Sequence, residues 1–324
     1  MLGKKLYRCL PRTEENYSPF KTKKDYESFI VEGDAHDNKA FSSNPSLLAD
    51  YFGKNQGAPH YLTPVYFDKG VLQKYFGSST EYEVQDSVIY KHGYWRLRFD
   101  NNSPDHVCVF LGDLGRDIPH AEAVYWKSFN LPPEEREMSG TYFKRSMMGG
   151  FADAESPDLV FKSEFGRFQN QWLELKGWPL FLPLVEADEH CFKALHSLTK
   201  NEQSEFDSQV LSLVKITIDS INVKGLKEHI SVEEGGSIKL LSAYLKGGGV
   251  EFDTASFFGG LQGVRSTGVA HRRGSKYEKT IERLGIDDSA LMQAFNRILE
   301  QMTELLREIN QEFISTDVSG DAIT

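Results

Sequence analysis

The hydrophobic positions change their period near residue 200. Beyond it they recur at three- and four-residue steps, the spacing that lays an apolar stripe along one helix face. Phe206, Val210, Leu213, Thr217 and Ile221 share such a face, flanked by Leu211, Val214 and Ile218. Thr199 and Glu202 stand three apart ahead of this run, the spacing of a capping box. A second helix is predicted over 237–245, stopped by Gly247-Gly248-Gly249, and a third over 254–265. The fourth stripe is the most regular: Leu291, Phe295, Ile298, Met302, Leu305, Ile309 and Phe313, with Asp287 or Asp288 placed to cap its start. Four helices with short connections predict a bundle over 199–314, followed by a polar tail at 315–324.

Before residue 199 the pattern is mixed. Residues 1–25 form a polar lead-in with Lys21, Lys23 and Lys24 close together. Tyr26 to Val31 reads as a strand, followed by turn chemistry from Gly33-Asp34 to Asp37-Asn38. Asn44-Pro45 predicts the start of a short helix through Leu48 and Tyr51, because proline suits a first helical turn. Residues 61–67 read as extended and 71–76 as a short helix. Trp95, Leu97 and Phe99 alternate with Tyr94, Arg96 and Arg98, the period of a strand with one buried face. Turn residues from Asn101 to Asp105 separate that strand from the apolar run His106 to Leu111. Together they predict a hairpin or meander, with Val84 to Tyr90 as a third strand. Helices are expected at 119–130, 140–150 and 160–176. The fold class expected is α+β: an antiparallel-sheet α+β domain over 26–198, then the helical bundle.

Composition narrows the picture. With 324 residues, 40% of them hydrophobic and 26% charged, the chain is long enough for two real cores. Its three cysteines, Cys9, Cys108 and Cys191, lie far apart with no C-x-x-C spacing, which argues against a disulfide framework or zinc knuckle and for a reducing compartment. The longest apolar runs, Val107 to Leu111 and Leu180 to Val185, fall far short of the roughly 20 residues a membrane span needs. The charged N-terminus has no apolar h-region. A cytoplasmic protein with no membrane partner is expected. A net charge of −10 disfavours an extended, non-specific nucleic-acid coat, leaving room only for a local basic cluster.

One such cluster lies between the third and fourth predicted helices: Arg265-Ser266-Thr267-Gly268-Val269-Ala270-His271-Arg272-Arg273-Gly274-Ser275, with Lys276 next. On an unbroken helix Arg265 and His271 would point to different faces, but Gly268 makes a bend plausible. An all-α bundle with arginine, five residues and then histidine ahead of a long final helix resembles the HEPN superfamily. Many of its members are metal-independent endoribonucleases of prokaryotic defence and toxin systems. The resemblance covers the bundle, about a third of the chain, and departs from the family's pattern at Ser266, where Asn, Asp or His is usual. It implies an RNA substrate, a homodimer formed through the bundle, and no metal or other cofactor. His271 would be the general acid/base, since imidazole titrates near working pH. Arg265 would hold the phosphorane with its always-charged fork. Ser266, Arg272, Arg273 and Lys276 would bind RNA, with the N-terminal domain sensing a trigger or protein partner or positioning RNA. The competing reading is a non-catalytic sensor or assembly subunit whose bundle only dimerises or docks. Arg265 and His271 would then close carbonyls at a helix C-terminus, where cations are favoured.

A second candidate is Gly112-Asp113-Leu114-Gly115-Arg116-Asp117-Ile118-Pro119-His120, which follows a buried strand and precedes a helix. Asp113, Arg116, Asp117 and His120 would form a ligand site there. The plainer reading is a Gly- and Pro-rich turn whose carboxylates cap the next helix. The surrounding text, 60–67 and 110–117 with Tyr125-Trp126-Lys127-Ser128-Phe129, resembles a module of uncharacterised bacterial proteins and implies no chemistry. Glu174-Leu175-Lys176 matches half of a restriction-nuclease metal site, but Phe165, Phe168 and Trp172 space as a helix, not a strand. Glu186, Asp188, Glu189, His190 and Cys191 read as a solvated acidic stretch rather than metal ligands. Gly259-Gly260 lacks the Gly-Lys-Ser/Thr of a phosphate loop.

Overall fold

In the computed structural model, residues 24–230, 235–268, 280–282 and 284–315 are described. The lead-in up to residue 23, the tail from 316 and residues 269–279 lie outside that set. The first described element is the hairpin of β1 (Ser28–Gly33) and β2 (Asn38–Ser42). Its turn follows from two residues. Gly33 sits at φ +97°, where a Cβ would meet the Asp37 carbonyl, and Asp34 Oδ1 accepts from the amides of His36 and Asp37 at 2.8 and 2.9 Å.

The helix expected after Asn44-Pro45 is a turn instead. Asn44 Oδ1 accepts from the Ser46 amide at 2.9 Å and its carbonyl takes the Leu47 amide. The short side chain thereby captures a backbone donor and closes a turn in place of a helix.

A central sheet follows. β3 (Pro64–Asp68) pairs antiparallel with β7 (His106–Phe110) on one edge and with the two-residue β8 (Asn130–Leu131) on the other. A separate meander comprises β4 (Tyr82–Gln85), β5 (Val88–Lys91) and β6 (Trp95–Arg98). Two expectations are corrected here. Val84 to Tyr90 is not one strand but the end of β4, a tight turn with Ser87 at φ +65°, and most of β5. β6 and β7 are not hairpin partners and share only the bridge Asp100–Cys108. The cause is Asp100, buried between them, whose carboxylate accepts from the Ser139 amide and hydroxyl at 2.6 and 2.8 Å. The connection is thus tied to a distant segment rather than closing on itself. The short α1 (Gln73–Phe76), preceded by one 3-10 turn, forms as predicted.

Three helices complete this part: α2 (Leu111–Asp117), α3 (His120–Lys127) and α4 (Gly140–Met147). The core beneath them is aromatic. Phe67 packs edge-on against Phe29 and Trp126, with centroids 5.7 and 4.9 Å away. The Trp126 indole donates to Tyr75, which donates to Glu122, and Lys74 closes the chain on the same carboxylate. A polar thread of this kind is tolerable in a core only because each member has a partner.

The second core is helical: α5 (Pro157–Lys176), α6 (Glu189–Ala194), α7 (Gln203–Ile216), α8 (Val223–His229), α9 (Ser237–Gly247), α10 (Thr254–Gly268) and α11 (Leu291–Asn310). The second, third and fourth helices predicted here lie within one turn of their expected bounds, and Asp287 caps the approach to α11 by accepting from the Ser289 amide. Three details differ. Phe161, Phe165, Phe168 and Trp172 of α5 are buried in this core beside α11, so the two cores divide before α5 rather than at residue 198. α7 starts at Gln203, and the Thr199 amide and hydroxyl go to Glu205 instead of closing a capping box. α7 also stops at Ile216, because 217–221 leaves the helix to bridge Phe181 through Ile221. The whole is an α+β protein. No helix among the described residues is long and apolar enough to cross a membrane.

Candidate functional site

Arg265 lies on the last turns of α10 with its side chain partly exposed. Its Nη1 donates to both carboxylate oxygens of Asp219, each at 2.7 Å. Asp219 belongs to the stretch that leaves α7 early, so the same backbone departure supplies the arginine's partner. The guanidinium therefore goes to a carboxylate rather than to the carbonyls at the end of its own helix. Ser266 donates to the Gly263 carbonyl at 3.1 Å, a local back-bond. His271, Arg272, Arg273 and Lys276 lie outside the described residues.

The stretch from Gly112 to Asp117 is a helix, not a turn, and its carboxylates do not cap the helix that follows. Two glycines on α2 let it approach backbone and ring closely. A Cβ on Gly115 would fall 1.8 Å from the Ser43 carbonyl, and one on Gly112 would fall 2.2 Å from the Tyr61 ring. That close seating places Tyr61 against the helix, where its hydroxyl donates to Asp113 Oδ1 at 2.8 Å. Arg116 Nη2 donates to the same oxygen at 2.7 Å and to Asp117 Oδ2 at 2.7 Å. The predicted set is split. Asp113, Arg116 and Asp117 stay together, whereas His120 faces away and meets Glu27 at 2.9 Å. Burial lifts the Asp113 carboxyl above its ordinary range, a push that the Tyr61 hydrogen bond and the Arg116 charge oppose. Burial and the neighbouring Asp113 also raise the Tyr61 phenol.

Asp113 and Arg116 open onto a cleft of about 600 Å³. Its floor is the outer face of the meander, fixed by strand alternation. Ile89 and Leu97 are register partners and fully buried, so their neighbours point the other way. Tyr90 pairs with Arg96 and Val88 with Arg98 on that outer face. Opposite, α4 contributes Tyr142, Arg145 and Ser146. Arg145 is anchored, its Nη1 bonding Ser87 Oγ at 3.0 Å and Asp86 at 2.8 Å and its Nε the Ala152 carbonyl at 2.9 Å.

The charge balance decides what such a cleft favours. Four arginines line it against two aspartates, Asp86 and Asp113. Arg145 and Arg116 already face those carboxylates. The guanidinium groups of Arg96 and Arg98 make no ion pair or hydrogen bond to another described residue, though the charge of Arg98 helps hold down the Asp113 carboxyl, and both residues are exposed. The site thus carries two more arginines than aspartates in a chain whose net charge is −10. Sequence reasoning recorded the outward alternation of Arg96 and Arg98 but not their role, since the opposing wall comes from α4, more than 40 residues later. A repeated arginine on the solvent face of one strand was the available signal.

The remaining candidates do not assemble. Glu174 and Lys176 sit on α5, a helix rather than the strand a restriction-type site uses. The acidic stretch at 186–191 is a 3-10 turn leading into α6, with Asp188 paired to Lys215. Among the described residues, no three His, Cys, Asp or Glu side chains are grouped as metal ligands. Compared with protein-family profiles, with curated proteins and with solved structures, the chain shows no match.

Proposed function

We propose that this protein is a ligand-responsive sensor whose arginine cleft binds a small anionic molecule. One observation carries the reading: Arg96 and Arg98 stand two apart on the outer face of β6, neither guanidinium in an ion pair or hydrogen bond with a described residue, in a concave site with two further arginines. Guanidinium groups in that arrangement bind phosphoryl or carboxylate oxygens through paired, charge-assisted hydrogen bonds. The aspartates beside them hold Arg116 and Arg145 in fixed rotamers, so the site is formed before the ligand arrives. The test is a titration of the full chain with inorganic diphosphate, followed by the melting temperature. A dose-dependent rise in melting temperature is expected, corresponding to about 2.7 kcal/mol of added stability at a hundredfold excess over Kd. It should disappear in the Arg96→Gln/Arg98→Gln variant, whose substitutions lie on an exposed face and should leave folding intact. No rise in the wild-type protein would sink the reading.

The HEPN-type endoribonuclease is the second reading, favoured by the position of Arg265. It sits at the surface in the last turns of α10, held by one partly exposed carboxylate that an RNA phosphate would displace. In that reading the bundle forms a homodimer, His271 moves the protons, and the arginine cleft receives the trigger. Cleavage of mixed RNA in EDTA that is lost in His271→Ala supports it, with a fall of about a hundredfold or more expected for a general acid/base. Cleavage that survives that substitution removes His271 from the mechanism.

A further inference from the structure

We infer that the ligand of the arginine cleft is a nucleoside diphosphate, lying along the meander with its base on Tyr90 and its phosphates toward Arg98 and Arg145. This inference rests on the anion-binding reading above and adds the ligand's identity and direction.

The floor of the cleft is graded. At one end Tyr90 and Arg96 are register partners, a half-buried ring, parallel to the His92 ring with centroids 6.4 Å apart, beside an exposed guanidinium. Next come Val88 and Arg98, also partners. At the other end the turn places Ser87 Oγ within hydrogen-bond reach of anchored Arg145. From Tyr90 to Val88 is two residues of strand, roughly 7 Å at the usual rise, and Ser87 lies one residue further, in the tight turn. A nucleotide carries its phosphates about that far from its base, so ring and phosphate subsites are separated by a fitting interval. A planar base gains from an aromatic face and an adjacent arginine whatever its identity.

The carboxylates separate a nucleotide from a bare phosphate. An ionised aspartate has only acceptors and repels a phosphate beside it. Ribose hydroxyls and base amino groups are donors, and they suit those same oxygens. Asp113 is held at the cleft wall through one oxygen, on which Tyr61 and Arg116 both converge. Holding Arg116 and Arg145 in place would account for both carboxylates at an inorganic-phosphate site, but it leaves the second Asp113 oxygen without a donor among the described residues, and a ligand hydroxyl can donate to it. A site for a ligand with anionic and hydroxylated parts uses both signs. The volume of about 600 Å³ lies within the range of small-molecule pockets.

The test is isothermal titration of the full chain in EDTA with ADP, GDP, CDP and UDP, with inorganic diphosphate and adenosine alongside. At least one nucleoside diphosphate should bind about tenfold tighter than diphosphate, the increment of one base stack. Tyr90→Ala should remove that increment and leave diphosphate affinity unchanged. Arg96→Gln/Arg98→Gln should weaken both ligands. If diphosphate binds as tightly as every nucleotide, the nucleotide inference fails and the anion reading stands. A nucleotide preference that ignores Tyr90→Ala, or adenosine binding as well as ADP, overturns the assigned direction. If neither diphosphate nor any nucleotide binds, both readings fall.

Discussion

Asp158→Ala is expected to destabilise the protein by about 3–5 kcal/mol, as the loss of one partner from a buried charge cluster does. Asp158 lies in the first turn of α5 and is buried at the boundary of the two cores. Its carboxylate accepts from Ser156 Oγ at 2.6 Å and from Ser197 Oγ at 3.0 Å. Burial opposes its ionisation, but the charges of Lys162 and Lys69 and the two hydroxyls outweigh that, so the carboxyl titrates below its usual range. The two lysines are shifted down by their own burial, with Asp158 pulling each back up. Removing the carboxylate takes from buried Lys69, which follows β3 in the first core, its main counter-charge and leaves it Asp105 and Asp100, while partly buried Lys162 on α5 keeps, among the described residues, only the Lys193 carbonyl.

The sign of the pH dependence follows. A depressed carboxylate contributes stability that is present above its unfolded pKa, near 3.9, and is lost as pH falls through the folded value. Wild-type stability should therefore drop in that acid window, and Asp158→Ala should flatten that part of the curve while lowering the plateau above it. Urea unfolding followed by far-UV circular dichroism at several pH values reads both. A loss below about 1 kcal/mol at neutral pH would mean that the lysines are already solvated and that Asp158 does not join the cores.

What was legible in the sequence depended on how far its cause reached along the chain. α11 has a local cause, an apolar stripe unbroken from Leu291 to Ile309, and its period alone located it. α9 and its glycine stop were legible for the same reason. The partner of β6 was not, because Asp100 is directed by Ser139, and no local pattern reports a bond across 39 residues. α5 shows both sides. Its helical period was plain, but which core its Phe168 and Trp172 enter is settled by Phe181 and Phe313. The arginine cleft behaves likewise. Strand alternation put Arg96 and Arg98 outward, but only the seating of α2 on its glycines and the anchoring of Arg145 turn an outward face into a concave one. Of the predicted site residues, Asp113, Arg116 and Asp117 stayed together because they lie within one helical turn, and His120, beyond Pro119, did not.

Trp172→Ala should cost about 3–5 kcal/mol, in the range for emptying a large aromatic site in a core. The side chain is fully buried on α5 and is the point at which four segments meet. Phe168 of the same helix lies 5.5 Å away, Trp178 meets it edge-on at 5.6 Å, Tyr244 of α9 at 6.2 Å, and Phe313, beyond α11, at 5.5 Å. The neighbouring rings already pack on one another, Tyr244 and Phe313 stacking at 5.2 Å, so they are not free to collapse into the space. Trp172→Phe keeps a ring at the junction and should cost roughly half as much. The location of the damage is as informative as its size. Trp172 belongs to the helical core, and the arginine cleft is built on the other. If the cores unfold as one unit through Asp158, a diphosphate-induced rise in melting temperature should persist on a single, lowered transition. Two separate transitions, with only the upper one responding to diphosphate, would show that the cleft's core stands without the bundle and that Asp158 couples them weakly.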